Sequence, residues 1–253
     1  MRAVPAAWLA SAALFGFFLL WCFFAQKRGP AQPARPLPRP LCIFMWGLWD
    51  AAPFPFEEKL ARIRRDYGYD CKVLSAADVE AAVAEYATKW NAAVAPCYQS
   101  MRRNVCRADL GRYLLIFLRG GLYLDHDVQL LRPLRESEWQ SAGGVWVLEK
   151  RADPSSLGPR ELREPVGERI ANYAFGSAVP FLAGLHFIIE ECIKRVREIG
   201  HLQVWSDSDV LWVTGPDVVS VVRSRHGAPT FSQPLEDFCS HSEAGTWRGL
   251  ADV

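Results

Sequence analysis

The chain has 253 residues, 50% hydrophobic and 23% charged, with 29 Lys and Arg against 28 Asp and Glu. That composition excludes a disordered, collagen-like or coiled-coil protein. A net charge of +1 argues against general nucleic-acid binding, and ten Trp with fourteen Phe supply ample material for a core.

Residues 1–5 are a short tail. Ala6 to Ala25 then runs for twenty residues without a charge and is followed by Lys27 and Arg28. As a helix it would be about 30 Å long, the thickness of a bilayer's hydrocarbon core. It exceeds the apolar region of a cleaved signal peptide and lacks a small-x-small cleavage site after it, so residues 6–25 are read as a transmembrane anchor. Gly29 to Pro40 holds five prolines in twelve residues, which prevent a helix or a central strand. Residues 26–40 therefore form an extended stem, and residues 41–253 a single α/β body. Arg2 precedes the apolar run, while Lys27, Arg28, Arg35 and Arg39 follow it; by the positive-inside rule these charges favour a cytosolic body.

Within the body, Leu41 to Trp46 is a buried first strand, and Asp50 to Phe56 a proline-broken loop. Glu57 to Tyr67 is an amphipathic helix, Lys72 to Leu74 a second strand, and Ala76 to Val94 an Ala-rich helical stretch. Arg102 to Leu118 is a longer helix that stops at Gly120-Gly121, where a left-handed cap is easily adopted. Leu122 to Asp125 is a strand. Val145 to Leu148 is another, followed by a polar loop from Arg151 to Glu164. No regular element is assigned between there and a helix from Phe181 to Ile199. Thr214-Gly215-Pro216 opens a last helix, Pro216 being preset for a first turn. Asp207 and Asp209 are read as a solvated loop. Cys42, Cys71, Cys97, Cys106, Cys192 and Cys239 contain no CxxC pair; they permit disulfides in an oxidising lumen without fixing a pairing.

The chemistry concentrates in Cys106 to Leu134. On a helix, Asp109 and Arg112 share a face. Gly120-Gly121 passes the chain into a strand on which Leu122 and Leu124 point one way. Tyr123, Asp125 and, if the strand persists, Asp127 point the other. Two carboxylates on one face at the end of a buried strand repel each other, and a hard divalent cation relieves that repulsion. Such a cation can also neutralise the charge that develops on a leaving diphosphate.

An isolated Asp-x-Asp is commonplace in exposed loops. Here Arg107, Asp109, Arg112, Tyr113, Gly120, Gly121, Tyr123, Asp125 and Asp127 stand at fixed spacing. This pattern resembles the signature of the DXD-containing sugar transferases of glycosyltransferase family 32, which includes Golgi α-mannosyltransferases and sphingolipid mannosyltransferases. Trp46 resembles the family's early Trp that stacks on the nucleobase. Asn172 sits where members have an Asn near the sugar, and Leu211 to Pro216 resembles a TGP element. His241 to Trp247 resembles a terminal His…Gly-Ser-Trp element, with Thr246 in place of Ser.

The resemblance implies a GT-A nucleotide-sugar-binding sandwich with a mixed central sheet. It implies transfer of a hexose, mannose first, from a nucleotide diphosphate sugar to a glycan or glycolipid hydroxyl with retention of configuration. Asp125 and Asp127, with His241 or Glu243, would hold Mn²⁺ or Mg²⁺. Asp109 and Arg112 would hold sugar hydroxyls, Tyr123 would line the donor pocket, and Trp247 would close over it. The same resemblance implies a type II Golgi or ER membrane protein with a lumenal body, against the flanking charges. Two alternatives are a haloacid-dehalogenase-type Mg²⁺ phosphatase with Asp125 as nucleophile, and a catalytically inactive membrane-tethered relative. Gln129, where that phosphatase motif has Thr or Val, disfavours the first.

Overall fold

The computed structural model describes residues 40–45, 56–151, 167–228 and 230–242. The segments expected as anchor (6–25) and stem (up to residue 39), Trp46, most of the two proline-containing loops, Glu243 and Trp247 lie outside the described residues. Among the described residues, no helix is long and apolar enough to cross a membrane.

Seven strands and eight helices are assigned among these residues. The first half contains β1 (Leu41–Met45), α1 (Phe56–Tyr67), β2 (Asp70–Leu74), α2 (Ala76–Lys89), α3 (Val94–Ser100) and α4 (Asn104–Arg119). After it come β3 (Gly121–Leu124), β4 (Val128–Leu130), α5 (Glu136–Trp139) and β5 (Val145–Arg151). The remainder is β6 (Glu168–Ser177), α6 (Ala183–Ile199), α7 (Asp207–Val213), α8 (Pro216–His226) and β7 (Cys239–His241).

Five strands form one mixed sheet in the order β2-β1-β3-β6-β5. β1 runs parallel to both β2 and β3, whereas β6 is antiparallel to β3 and to β5. Parallel neighbours cannot be joined by a tight hairpin. The chain accordingly passes through α1 between β1 and β2, and through α2 to α4 between β2 and β3. β4 and β7 form a separate antiparallel pair.

Alternation along the strands sorts the core into two parts. Tyr123, Trp146 and Phe175 pack into the larger cluster, with α2, α4, α6 and α8. Leu122, Leu124, Val145 and Val147 join the smaller one, with Leu60 and Ile63 of α1 and Val128 and Leu130 of β4. The period of two across β3 is the one expected of a strand whose two faces meet different layers.

Three local expectations are revised. The Ala76–Val94 stretch is helical only to Lys89, where α2 ends, and Val94 opens the separate helix α3. Ser75 and Asp78 start α2 with a reciprocal capping box. The Asp207/Asp209 stretch is the first turn of α7, with Ser206 and Asp209 forming another capping box and Asp207 bonded to Arg103 at 2.6 Å. The region around Asn172 is β6, the longest strand of the sheet. The six body cysteines are free thiols.

Candidate active site

Two glycines determine how α4 delivers its side chains to β3. Gly120 (φ 70°, ψ −169°) and Gly121 (φ 110°) occupy positive-φ backbone that side-chain-bearing residues rarely adopt. The positive φ matches the expected cap, although ψ at Gly120 is extended rather than left-handed helical. The turn sends the chain straight from the last turn of α4 into the sheet, beside β1. β3 ends at Leu124, so Asp125 stands just past the strand and His126 and Asp127 form a turn. Continuation of the strand is therefore not what brings the two acids together. The turn does so, closed by the Val128 amide donating to the Asp125 carbonyl at 3.1 Å.

Asp109 and Arg112 lie on the inner face of α4, only 3% and 5% exposed. Arg112 is the hub. Its Nη2 lies 3.1 Å from Asp109 Oδ1 and its Nη1 3.1 Å from Asp125 Oδ1, and Nη1 also donates to the Asn172 carbonyl at 3.0 Å. Its guanidinium rests 4.7 Å from the centre of the Tyr123 ring, and the Tyr123 hydroxyl donates to Asp125 Oδ1 at 2.7 Å. Asp109 is also held on both oxygens. Asn172 Nδ2 donates to Oδ1 at 3.0 Å, and the Thr214 hydroxyl donates to Oδ2 at 2.9 Å. Tyr113 donates to the Thr214 carbonyl at 2.7 Å. Residues from α4, β3, β6 and the α7–α8 junction thus meet in one buried polar network.

Burial works against the charge of Asp109 and pushes its carboxyl up to about 7, although Arg112, Thr214 and Asn172 all pull it down. Burial likewise opposes the charge of Arg112, but Asp125 and Asp109 outweigh it and keep the guanidinium protonated. The Tyr123 phenol is held neutral, first by burial.

On the outer side of this network, Asp125, Asp127 and His241 each offer one ligand atom, and the three atoms lie within 4.8 Å of one another in a half-buried setting. His241 comes from β7, which pairs with β4 in the register Val128↔His241. Its Nε2 lies 3.2 Å from Asp127 Oδ2, and its ring stacks on Tyr173 of β6 with centroids 4.1 Å apart. Burial lowers the His241 pKa, but the hydrogen bond and charge of Asp127 reverse that and leave it above its ordinary value. Two carboxylates and an imidazole form a donor set suited to a divalent transition or alkaline-earth ion. A carboxylate has about four lone-pair sites, so Asp125 keeps capacity for a cation beyond its bonds to Arg112 and Tyr123. The residues present fit a Mn²⁺ or Mg²⁺ site.

Of the residues singled out from sequence, Asp109, Arg112, Tyr123, Asp125, Asp127, Asn172 and His241 converge. Trp46, Glu243 and Trp247 lie outside the described residues. Three contributors were not anticipated: Thr214, Tyr173 and Lys59. Thr214 was legible as part of the TGP element and as a helix start, but no side-chain role was assigned to it. Lys59 of α1 donates to the carbonyls of Asp125, His126 and Val128, at 3.4 Å to the first and 2.6 Å to the last. Burial pulls its ammonium down to about 8, against the charges of Asp127 and Asp125.

Residues 56–146 match the family model described as the glycosyltransferase sugar-binding region containing a DXD motif. A stretch of 54 residues is 41% identical to the initiation-specific α-1,6-mannosyltransferase of Saccharomyces cerevisiae, covering 21% of this chain and 11% of that protein. Against the protein of the same name from Candida albicans, 58 residues are 41% identical, covering 23% of this chain and 14% of the relative. The matched segments thus span only a small part of these curated relatives. Among solved structures, PaToxG glycosyltransferase aligns over 76% of this chain and 71% of its own, at 10% identity and a TM-score of 0.46.

Proposed function

We propose that this chain, whose residues 56–146 carry the sugar-binding region of DXD-motif glycosyltransferases, moves a hexose from a nucleotide diphosphate sugar to a hydroxyl acceptor. Mannose is the favoured sugar, by likeness to the two mannosyltransferases. The acceptor is a glycan or a glycolipid. The observation that carries this reading is the convergence of Asp125, Asp127 and His241 beside the buried Asp109–Arg112–Asn172 network. The family match also favours a sugar transferase over the phosphatase alternative.

Asp125, Asp127 and His241 are the groups that would hold Mn²⁺ or Mg²⁺, with Glu243 as the alternative to His241 on resemblance alone. When bound, such an ion supplies Lewis-acid neutralisation of the departing diphosphate. Arg112 fixes the orientation of Asp125 from behind, and Tyr123 does the same through its hydroxyl. Asp109 is buried and engaged on both oxygens, which suits it to hold Arg112 and Asn172 in place and not to attack the sugar. Same-face departure and attack through an oxocarbenium-like state is the mechanism we favour, with retention as its outcome. Trp46 and Trp247 are assigned to the nucleobase and the closure of the donor site on resemblance alone. The GT-A fold name and a Golgi or ER membrane setting, with residues 6–25 as anchor and the body lumenal, belong to the same reading.

The test is a panel of nucleotide sugars scored for Mn²⁺-dependent release of the nucleotide, since slow hydrolysis needs no acceptor. Release from a GDP- or UDP-hexose that depends on added metal supports the reading. No release from any donor, with metal present and the protein folded, would overturn it.

A further inference from the structure

The Lys59 ammonium lies between α1 and the turn that carries the two acids. An ammonium has three N–H donors and no acceptor. Lys59 directs them at three backbone carbonyls, those of Asp125, His126 and Val128. The turn therefore has two sides. Its carbonyls converge on Lys59, while the carboxylates of Asp125 and Asp127 converge with the imidazole of His241. α1 packs against β2, and its Leu60 and Ile63 are buried in the same cluster as Leu122 and Leu124 of β3, so Lys59 is presented from a packed helix. Tyr67, two turns further along α1, donates to the Leu130 carbonyl at 2.7 Å and ties the end of β4 to the same helix.

We infer that Lys59 is a positioning residue for the cation site: by binding the three carbonyls it sets the turn conformation in which Asp125 and Asp127 present oxygens to one ion. This rests on the metal-dependent reading above. Lys59 itself is not a ligand, being a cation that carries no lone pair when protonated. Its two possible influences on the site have opposite signs. As a mere nearby positive charge it weakens binding of a divalent cation, and its removal would tighten binding. As the group that orders the turn it strengthens binding, and its removal loosens it. Groups one step behind metal ligands commonly carry a 10–100-fold effect on metal affinity.

The experiment is Mn²⁺ titration of the full chain, followed by electron paramagnetic resonance of the free ion, for the native protein, Lys59→Met, Lys59→Arg, Tyr67→Phe and Asp127→Asn. Thermal melts of each are recorded in parallel. The expected result is Mn²⁺ affinity about tenfold or more weaker in Lys59→Met and partly restored in Lys59→Arg. Tyr67→Phe, which removes a neighbouring bond between the same helix and the same segment, should bind Mn²⁺ as the native protein does. Native-like or tighter binding by Lys59→Met, or equal weakening by Tyr67→Phe, would overturn the inference. Absence of Mn²⁺ binding in the native protein itself, with Asp127→Asn indistinguishable from it, would instead overturn the metal reading on which it rests.

Discussion

Asp109 shows most clearly how single side chains set the behaviour of this site. Its carboxyl is held by an amide, a hydroxyl and a guanidinium, all donors to a carboxylate, yet burial raises its pKa to about 7. The sign of the consequence follows from linkage. An unfolded Asp releases its proton near the ordinary value of about 4. Between that value and about 7 the folded chain binds more protons than the unfolded one, so this group's contribution to stability declines as pH rises across the window. Asp109→Asn has no proton to lose there, and its Tm relative to the native protein should rise between pH 5 and pH 7. Parallel Tm profiles for the two proteins would contradict this. Thr214→Val keeps shape and removes the donor to Asp109 Oδ2, leaving a buried acceptor with one partner fewer. A cost of about 1–3 kcal/mol is expected, read as a lower midpoint in urea with an unchanged slope. A native midpoint would show that the hydroxyl contributes nothing. Asp109, Arg112, Tyr123, Asp125 and Asp127 were legible because their spacing is local and fixed. Lys59 and Tyr173 were not. A lone Lys on an amphipathic helix is normally a solvated residue, and only the tertiary arrangement brings it to the carbonyls of a turn some seventy positions away.

Element by element, β1 to β3 and the longer helices follow their local signals, whereas α7 replaces an expected loop, α5 was not expected, and no regular element was expected at β6. Its burial is nearly continuous from Ile170 to Ser177, so it lacks the polar–apolar alternation by which half-buried strands are recognised. Its small residues have a tertiary cause. A Cβ on Gly176 would come within 2.6 Å of the Gly121 carbonyl oxygen and 3.0 Å of the Leu122 Cα, both backbone atoms of the paired strand β3. Gly176→Ala must therefore push β6 away from β3. Overpacking of this kind costs about 1–3 kcal/mol, and because the displaced strand carries Asn172 and Tyr173, the site should be disturbed as well. The expected outcome is a Tm lower by several degrees together with weakened Mn²⁺ binding. A variant with native Tm and native Mn²⁺ affinity would show that the strands tolerate the extra methyl. The end of β3 offers a further lesson. The expected strand through Asp127 would have aligned the acids by alternation, whereas the chain aligns them by a turn held from behind.

For the described body as a whole, the mixed sheet carries the site at one end of β3, and distant parts of the chain complete it. Asp109 and Arg112 precede β3, Asn172 sits in the adjacent antiparallel strand, Thr214 lies at a helix junction, and His241 arrives in the short strand β7 beside β4. The α/β class and the mixed character of the sheet agree with the expectation drawn from sequence. Strand order and the antiparallel placement of β6 and β5 were beyond it, because pairing across loops leaves no periodic trace. His241 was legible as a candidate ligand through its resemblance element, whereas the β4–β7 pairing that carries it was not. The account stands or falls on Asp125 and Asp127 serving one cation that promotes departure of a nucleotide. The most direct measurement is the rate of nucleotide release from a GDP- or UDP-hexose as a function of Mn²⁺, for the native chain and for Asp127→Asn, with folding of both checked by circular dichroism. The expected result is metal-dependent release by the native chain, reduced by about a hundredfold or more in the variant, since metal stabilisation of transition-state charge is worth several kcal/mol. Equal release by the two proteins, or release indifferent to the metal, would contradict it.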